Sequence, residues 1–429
     1  MRTIYAILTY LLLPPYAMYW VVRGVVNRSY WDRFRQRFGF GFPTLPEGSL
    51  WVHAVSVGEV QASVPLVREL RRRFPSREIL LTTVTPTGAA HVRKVFGDTV
   101  HHCYIPFETP SAVNSFFAAT KPSLALVMET EIWPNLYHAC GQRNVPLVLV
   151  SARISPRSVE RYRKLLPLFR EALSHGILIA AQGAADARRF LSLGANPART
   201  WIVGNIKFDY ELPADLAANG TEFRRDYIGD RPVWIAASTH EGEEELALAA
   251  HRAVLESVPD AVLMLVPRHP ERFAAVAAII EKSGFRYQRR TEHRRLASGD
   301  QVLLGDTMGE LTLFYAASDV AFVGGTLVPV GGHNLLEPGA LGRPVITGPH
   351  LFNTQEIADL FSDVGASRLV HDAGELAAAV IPLLQEPEIA RELGRKGKQV
   401  VTTNRGALKR LMVLLNPLVV KVDGHIEGD

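Results

Sequence analysis

The chain has 429 residues, with 47 Lys and Arg against 43 Asp and Glu, 47% hydrophobic and 21% charged residues, and two cysteines. That length suits two domains, the composition excludes a disordered chain, and Cys103 and Cys140 exclude a disulfide scaffold and fit a reducing compartment. The formal net charge of +4 sits at the front, where Arg2, Arg23, Arg28, Arg33, Arg35 and Arg37 face only Asp32 and Glu47, and the rest balances. A basic excess beside the most apolar segment points to a membrane partner and away from nucleic acid.

Residues 4–22 carry no charge and are rich in Leu and Tyr. As a helix they are about long enough to cross a hydrocarbon layer of about 30 Å. Pro14 and Pro15 would kink it, and Tyr16, Tyr19 and Trp20 are types favoured at headgroup level. Only Arg2 precedes the run, and five arginines follow it without a small-residue cleavage site. That pattern argues against a cleaved signal peptide and keeps the bulk of the chain in the cytoplasm. The alternative is a buried first helix. The segment Trp31-Asp32-Arg33-Phe34-Arg35-Gln36-Arg37-Phe38 suits attachment to anionic lipid under either reading.

From residue 50 onward, short β-branched runs alternate with helical stretches such as 60–74 and 158–173. Strands are expected at 50–57, 79–84, 124–128, 147–150 and 177–181, and again at 233–237, 261–266, 302–304, 320–323 and 344–347. Continuous apolar strands between amphipathic helices imply parallel sheets covered on both faces, hence an α/β protein. A more polar stretch with Pro213 and Gly220 reads as a link. The expected layout is a membrane anchor and basic collar at 1–40, a Rossmann-like domain at 41–210, a link at 211–230 and a second Rossmann-like domain at 231–429.

Ligands of such sheets bind beyond the carboxyl ends of the strands. There the first strand ends in Ser56-Val57-Gly58-Glu59, where Glu59 can serve as a general base or as a first-turn acid of a helix. The third strand runs into Met128-Glu129-Thr130-Glu131-Ile132-Trp133-Pro134-Asn135, and two carboxylates there are costly unless solvated or paired. Arg153 after the next strand and Lys207 near the link are cations that could pair with them.

In the second half, Pro267-Arg268-His269 follows a strand, and an Arg fork suits phosphate or carboxylate oxygens. Gly305-Asp306-Thr307-Met308-Gly309-Glu310-Leu311 turns a strand into a helix. Gly324 and Gly325, then Gly331-Gly332-His333-Asn334-Leu335-Leu336-Glu337, allow close backbone approach to a ligand and supply an acid for a ribose diol. Glu241-Gly242-Glu243-Glu244-Glu245 reads as a solvated helix start, though Ser238 and Thr239 before it could touch a phosphate. The histidines show no metal-ligand spacing and suit surface or supporting roles. Neither D-x-D nor a P-loop motif is present, which argues against a diphosphate–magnesium clamp.

Taken in order, Trp51-Val52-His53-Ala54-Val55-Ser56-Val57-Gly58-Glu59, the 128–135 motif, Ser151-Ala152-Arg153-Ile154-Ser155, Gly204-Asn205-Ile206-Lys207-Phe208, Val266-Pro267-Arg268-His269 and Asn334-Leu335-Leu336-Glu337-Pro338 closely resemble the 3-deoxy-D-manno-octulosonic acid (Kdo) transferase family. The resemblance spans the whole chain without departure from these motifs. It implies a GT-B fold, two Rossmann-like domains with their parallel sheets facing across a cleft. It further implies CMP-Kdo as donor, the lipid A precursor as acceptor, no cofactor or metal, and work at the cytoplasmic face of the inner membrane. By position it makes Glu59 the general base, with Glu131 and Lys207 at transition-state-stabilising positions and Glu129 beside them. It assigns CMP contact to Pro267, Arg268, Met308, Gly309, Glu310, Asn334, Leu335, Leu336 and Glu337. The rival readings are a UDP-sugar glycosyltransferase with a lipid acceptor, a sugar-nucleotide epimerase, and a non-catalytic nucleotide-binding protein.

Overall fold

The structure, a computed structural model, describes residues 2–164, 166–174, 176–209 and 212–423. The expected domain boundary at 210–211 and the expected tail of the rear domain, 424–429, lie outside the described residues. Two compact units emerge, Met1–Asp209 with Asn404–Asp429, and Tyr210–Thr403.

The first unit is built on a parallel sheet of β1 (Ser49–His53), β2 (Ile79–Thr83), β3 (His101–Tyr104), β4 (Pro122–Met128), β5 (Leu147–Ala152), β6 (Leu178–Ala181) and β7 (Thr200–Ile202). Their order is β3-β2-β1-β4-β5-β6-β7, so the chain reverses its direction of growth between β1 and β4. Alternate side chains of each strand feed opposite faces. Trp51, Ala125 and Val127 enter one apolar core, while Leu50, Val52, Leu124 and Leu126 enter the other.

The second unit repeats the plan with β8 (Val233–Thr239), β9 (Val262–Pro267), β10 (Tyr287–Arg289), β11 (Val302–Leu304), β12 (Val320–Val323), β13 (Val345–Thr347) and β14 (Ser367–Leu369), ordered β10-β11-β9-β8-β12-β13-β14. Here the reversal falls between β8 and β12. Ten of the fourteen strands fall where the sequence places them. The four it does not anticipate, β3, β7, β10 and β14, are the outer strands of the two sheets. They are the strands with partly exposed residues and without a continuous apolar run.

The kink expected in the apolar run from Pro14 and Pro15 is present, and the bent pair together has the length and composition of a span. Four other expectations need correction. The apolar run at 4–22 is two helices, Arg2–Leu11 and Leu13–Val26, bent by 46°, and neither is long and apolar enough to cross a membrane by itself. Within the first unit this pair docks along one face. Tyr16 stacks on Phe107 at 4.0 Å, Trp20 is buried, and the Tyr5 hydroxyl donates to the buried Glu108 carboxylate. Arg37 belongs to this packing and not to an exposed collar: it is 1% exposed, with its guanidinium 3.7 Å from the Trp20 ring and 4.2 Å from that of Tyr104.

The expected single helix at 158–173 is two, Pro156–Arg163 and Leu166–Ser174. The expected link contains a helix, Leu216–Tyr227, that packs on helix Leu311–Ala317 inside the second unit. Its polar composition reflects one exposed face, while Phe223 and Ile228 enter an apolar core. Finally, the chain returns to the first unit. Helix Ala407–Asp423 buries Leu411, Met412, Leu415 and Val419 in the core beneath β1 and β4.

Candidate active site

Each unit carries its candidate side chains at the carboxyl edge of its sheet, at the strand-order reversal, where flanking loops diverge and leave room. In the first unit, β1 gives way to helix Val57–Arg73, and Ser56 at the helix start makes no side-chain cap. Glu59 does that work: its Oε2 accepts the Val55 N–H at 2.9 Å, while Oε1 has only a long 3.5 Å contact from the Ser56 hydroxyl. The half-buried carboxyl is pushed up to about 8, chiefly by desolvation and further by Glu129 and Glu131.

Beyond β4, Glu129 takes a left-handed backbone with φ of 55°, which turns its side chain out of the sheet. Its carboxylate accepts a hydrogen bond from Lys207 Nζ at 2.8 Å and lies 3.9 Å from Arg153. Glu131 accepts from the Trp133 indole N–H at 2.7 Å, and its backbone carbonyl accepts from the Tyr137 hydroxyl. Burial raises the Glu131 carboxyl above its ordinary range, and Glu129 adds to the effect. Lys207 is positioned from below: Ser151, itself at φ 50° in a bulge of β5, accepts the Ile206 N–H at 3.2 Å through its hydroxyl. The arrangement is a carboxyl able to take a proton beside an ion pair of fixed geometry.

In the second unit a cavity of about 210 Å³ opens past β8, β9, β11 and β12. Its walls include Ser238, Pro267, Arg268, Thr307, Met308, Gly309, His333, Asn334 and Glu337. Glu337 accepts from the Asn334 amide at 3.1 Å, and burial raises its carboxyl against the pull of Arg268. The glycine-dense loop after β12 must pass close to β8, since a Cβ on Gly324 would sit 2.7 Å from the Ser238 carbonyl oxygen. Gly325, at φ 69°, brings the backbone against His333.

Matches to known proteins identify the family. Residues 32–210 match the family described as 3-deoxy-D-manno-octulosonic-acid transferase (kdotransferase), and residues 230–400 match glycosyl transferases group 1. The chain is 44% identical over 396 residues to the 3-deoxy-D-manno-octulosonic acid transferase of Haemophilus influenzae, covering 92% of this chain and 93% of that protein. The chain belongs to the Kdo transferase family. It is a glycosyltransferase that transfers Kdo in lipopolysaccharide biosynthesis. The family member of Bordetella pertussis is 37% identical over 89% of this chain and 91% of its own length. A UDP-GlcNAc 2-epimerase from Neisseria meningitidis bound to UDP-GlcNAc superimposes with a TM-score of 0.55 at 14% identity, covering 85% of this chain and 99% of that one. That likeness concerns the fold alone, and with the two parallel sheets it makes this Kdo transferase a GT-B α/β protein.

The structure gathers Glu59, Glu129, Glu131 and Lys207 at one sheet edge, and Pro267, Arg268, Met308, Gly309, Asn334 and Glu337 at one cavity. It does not bring the remaining three side chains there. Leu335 and Leu336 are buried in the packing, and Glu310 pairs with Arg290 at 2.8 Å while accepting from the Thr307 hydroxyl. The acidic run at 241–245 is not all solvated: Glu243 and Glu244 are fully buried. Glu243 accepts the N–H groups of Gly325, Thr326 and Leu327 at 2.6–3.0 Å and that of His240 at 3.0 Å, so it holds the glycine loop in place. Glu244 pairs with Arg272 at 3.1 Å. The only sequence signal for this was the glycine loop itself, whose many N–H groups need an acceptor. Among the histidines, His53 is buried against Trp133, and His333 lines the cavity with His240 paired behind it.

Proposed function

We propose that this transferase moves Kdo from CMP-Kdo to a hydroxyl of the lipid A precursor by direct displacement with inversion. The acceptor oxygen bonds to the anomeric carbon as the bond from that carbon to the phosphate oxygen breaks, with its electron pair leaving on CMP. Glu59 takes the acceptor proton. The observation that carries this reading is the Glu59 carboxyl, half-buried past β1 with a loosely engaged Oε1 and its proton affinity raised to about 8. Lys207, fixed on Glu129, and Glu131, fixed on Trp133, supply oriented charge beside it. Arg268 supplies the guanidinium for a single phosphate, and Glu337 an acceptor for ribose hydroxyls. The reading uses neither cofactor nor metal.

Glu59→Gln keeps an oxygen for the Val55 N–H and removes the base. It is expected to retain CMP binding and to lose transfer by about 10²–10⁴-fold. Incubation with CMP-Kdo and lipid A precursor, with mass spectrometry counting added sugars, checks both the activity and the loss. Near-normal turnover of the variant would refute the role of Glu59, and transfer from a UDP-sugar instead would favour the rival donor.

The same reading places the protein on the inner membrane with its two units on the cytoplasmic side. Support comes from the helix pair at the N-terminus, which buries one face in the first unit and exposes Ile4, Ile7, Leu11, Met18, Val22 and Val25 on the other. Such a face suits insertion in the plane of the leaflet. Arg28 and Arg35 nearby suit anionic headgroups. Sedimentation with vesicles checks this: binding is expected to be stronger for anionic than for zwitterionic lipid and to fall on Leu11→Asp. Equal recovery in the supernatant would exclude it.

A further inference from the structure

His240 follows β8 and His333 follows the glycine loop after β12, yet their Nε2 atoms lie 2.8 Å apart with rings within 5° of parallel. At that distance one nitrogen donates and the other accepts, so the two imidazoles share a proton. The contact is built. Glu243 accepts the His240 N–H and the N–H groups of the loop segment 325–327 leading to His333, so one buried carboxylate fixes both sides.

The surroundings are mostly positive: besides Glu243, the acids are Glu337, which lines the cavity with Arg268, Glu271 at 3.8 Å from His269, and Glu241 and Glu244, which pair with Arg272. His240 faces Glu243, His269, Arg268 and Arg272, and His333 faces His240, Arg268 and His269. Burial first, and then the neighbouring histidine and arginine groups, push both imidazoles below their ordinary range, His333 down to about 3, while Glu243 pulls His240 the other way. His333 itself lines the cavity with Arg268, Ser238 and Asn334. A set of nitrogen donors around one cavity, two of them imidazoles disfavoured from charging, is suited to an anion that brings negative charge.

We propose that His240 and His333 act as one proton-sharing pair that binds the phosphate of the nucleotide monophosphate and takes up a proton from solvent as that phosphate enters. This rests on the CMP-sugar reading above. In the donor the phosphate is a diester with one negative charge. When the sugar–oxygen bond breaks, the leaving oxygen gains a second, and the pair's interaction is strongest there. The acceptor proton still goes to Glu59. The pair gives none away in the step: one proton stays between the two Nε2 atoms, and the one taken up sits on an Nδ1 that donates to a phosphate oxygen.

The test is calorimetric titration of the full chain with CMP at pH 7.5, in two buffers of different ionisation enthalpy, with cytidine as the probe lacking phosphate. Wild type is expected to take up a measurable fraction of a proton with CMP and none with cytidine. His333→Gln and His240→Gln keep polar atoms near Nε2 but cannot be charged. Each is expected to abolish the uptake and weaken CMP by roughly 10–100-fold, the range for one charge-assisted hydrogen bond, while cytidine affinity stays within twofold. Wild-type CMP affinity with unchanged proton count in either variant overturns the pair. Parallel loss of CMP and cytidine overturns it in favour of a purely structural role. Failure of wild type to bind CMP, with binding of UDP, overturns instead the donor reading on which the pair's role stands.

Discussion

At the scale of single residues, the proposed chemistry depends on how a carboxyl can be both a helix cap and a base. The Val55 N–H holds Oε2 of Glu59 and lowers its proton affinity, but desolvation and the two neighbouring acids outweigh it, leaving the group at about 8. Two consequences follow in opposite directions. The base form grows as pH rises, so transfer is expected to increase across the neutral range and level off above about 8, a limb that a pH–rate profile would show. Stability runs the other way. Between the ordinary carboxyl range and about 8 the folded protein holds a proton that the unfolded chain has lost, so the contribution from Glu59 is full in acid and lost as pH rises through 8. Glu59→Gln is expected to flatten that slope in denaturant titrations; an unchanged slope would mean the proton sits elsewhere. Glu59, Glu129 and Glu131 were legible in the sequence because each follows an anticipated strand, whereas Lys207 was placed only near the link, since β7 before it gives no pattern. Glu243 was not, because an acid run looks solvated until a distant loop closes over it.

At the scale of elements, what was legible divides by burial. The ten strands anticipated are those covered on both faces, such as β1 and β4, whose continuous apolar runs leave little ambiguity. The four missed strands, β3, β7, β10 and β14, each have a neighbour on one side only, and His101, Trp201 and Arg289 there give no period to read. The helix Leu216–Tyr227 was mistaken for a link for a related reason: Gly220 looks like a breaker but serves as a contact. A Cβ there would lie 2.4 Å from the Ala316 Cβ and 2.8 Å from its carbonyl carbon. Gly→Ala within a helix ordinarily stabilises by about 1 kcal/mol. Here overpacking against backbone reverses the sign, and Gly220→Ala is expected to destabilise by about 1–3 kcal/mol. A thermal melt that rises for this variant would contradict the close packing.

At the scale of the whole molecule, helix Ala407–Asp423 makes the first unit discontinuous in sequence. Asp209 accepts the N–H groups of Gly406 and Leu408 at 2.5 Å each, tying the returning helix to the end of the unit's first segment. A chain ending at residue 405 would bare the core beneath β1 and β4. It is expected to lose the unfolding transition of the first unit, and with it transfer, while keeping CMP binding in the second, whose cavity residues all lie within 238–337. Two unfolding transitions persisting in the truncated chain would refute this. By itself the sequence determined the α/β alternation, the covered strands, the family motifs and the acids and cations at strand ends, because these are properties of neighbouring residues and their periodicity. Only the tertiary structure decided the bend and docking of the N-terminal helices, the return of the last helix, the burial of Glu243 and the meeting of His240 with His333. Each of those is a contact between residues far apart in the chain, and whether a charge is solvated or a ring is paired depends on what folds against it.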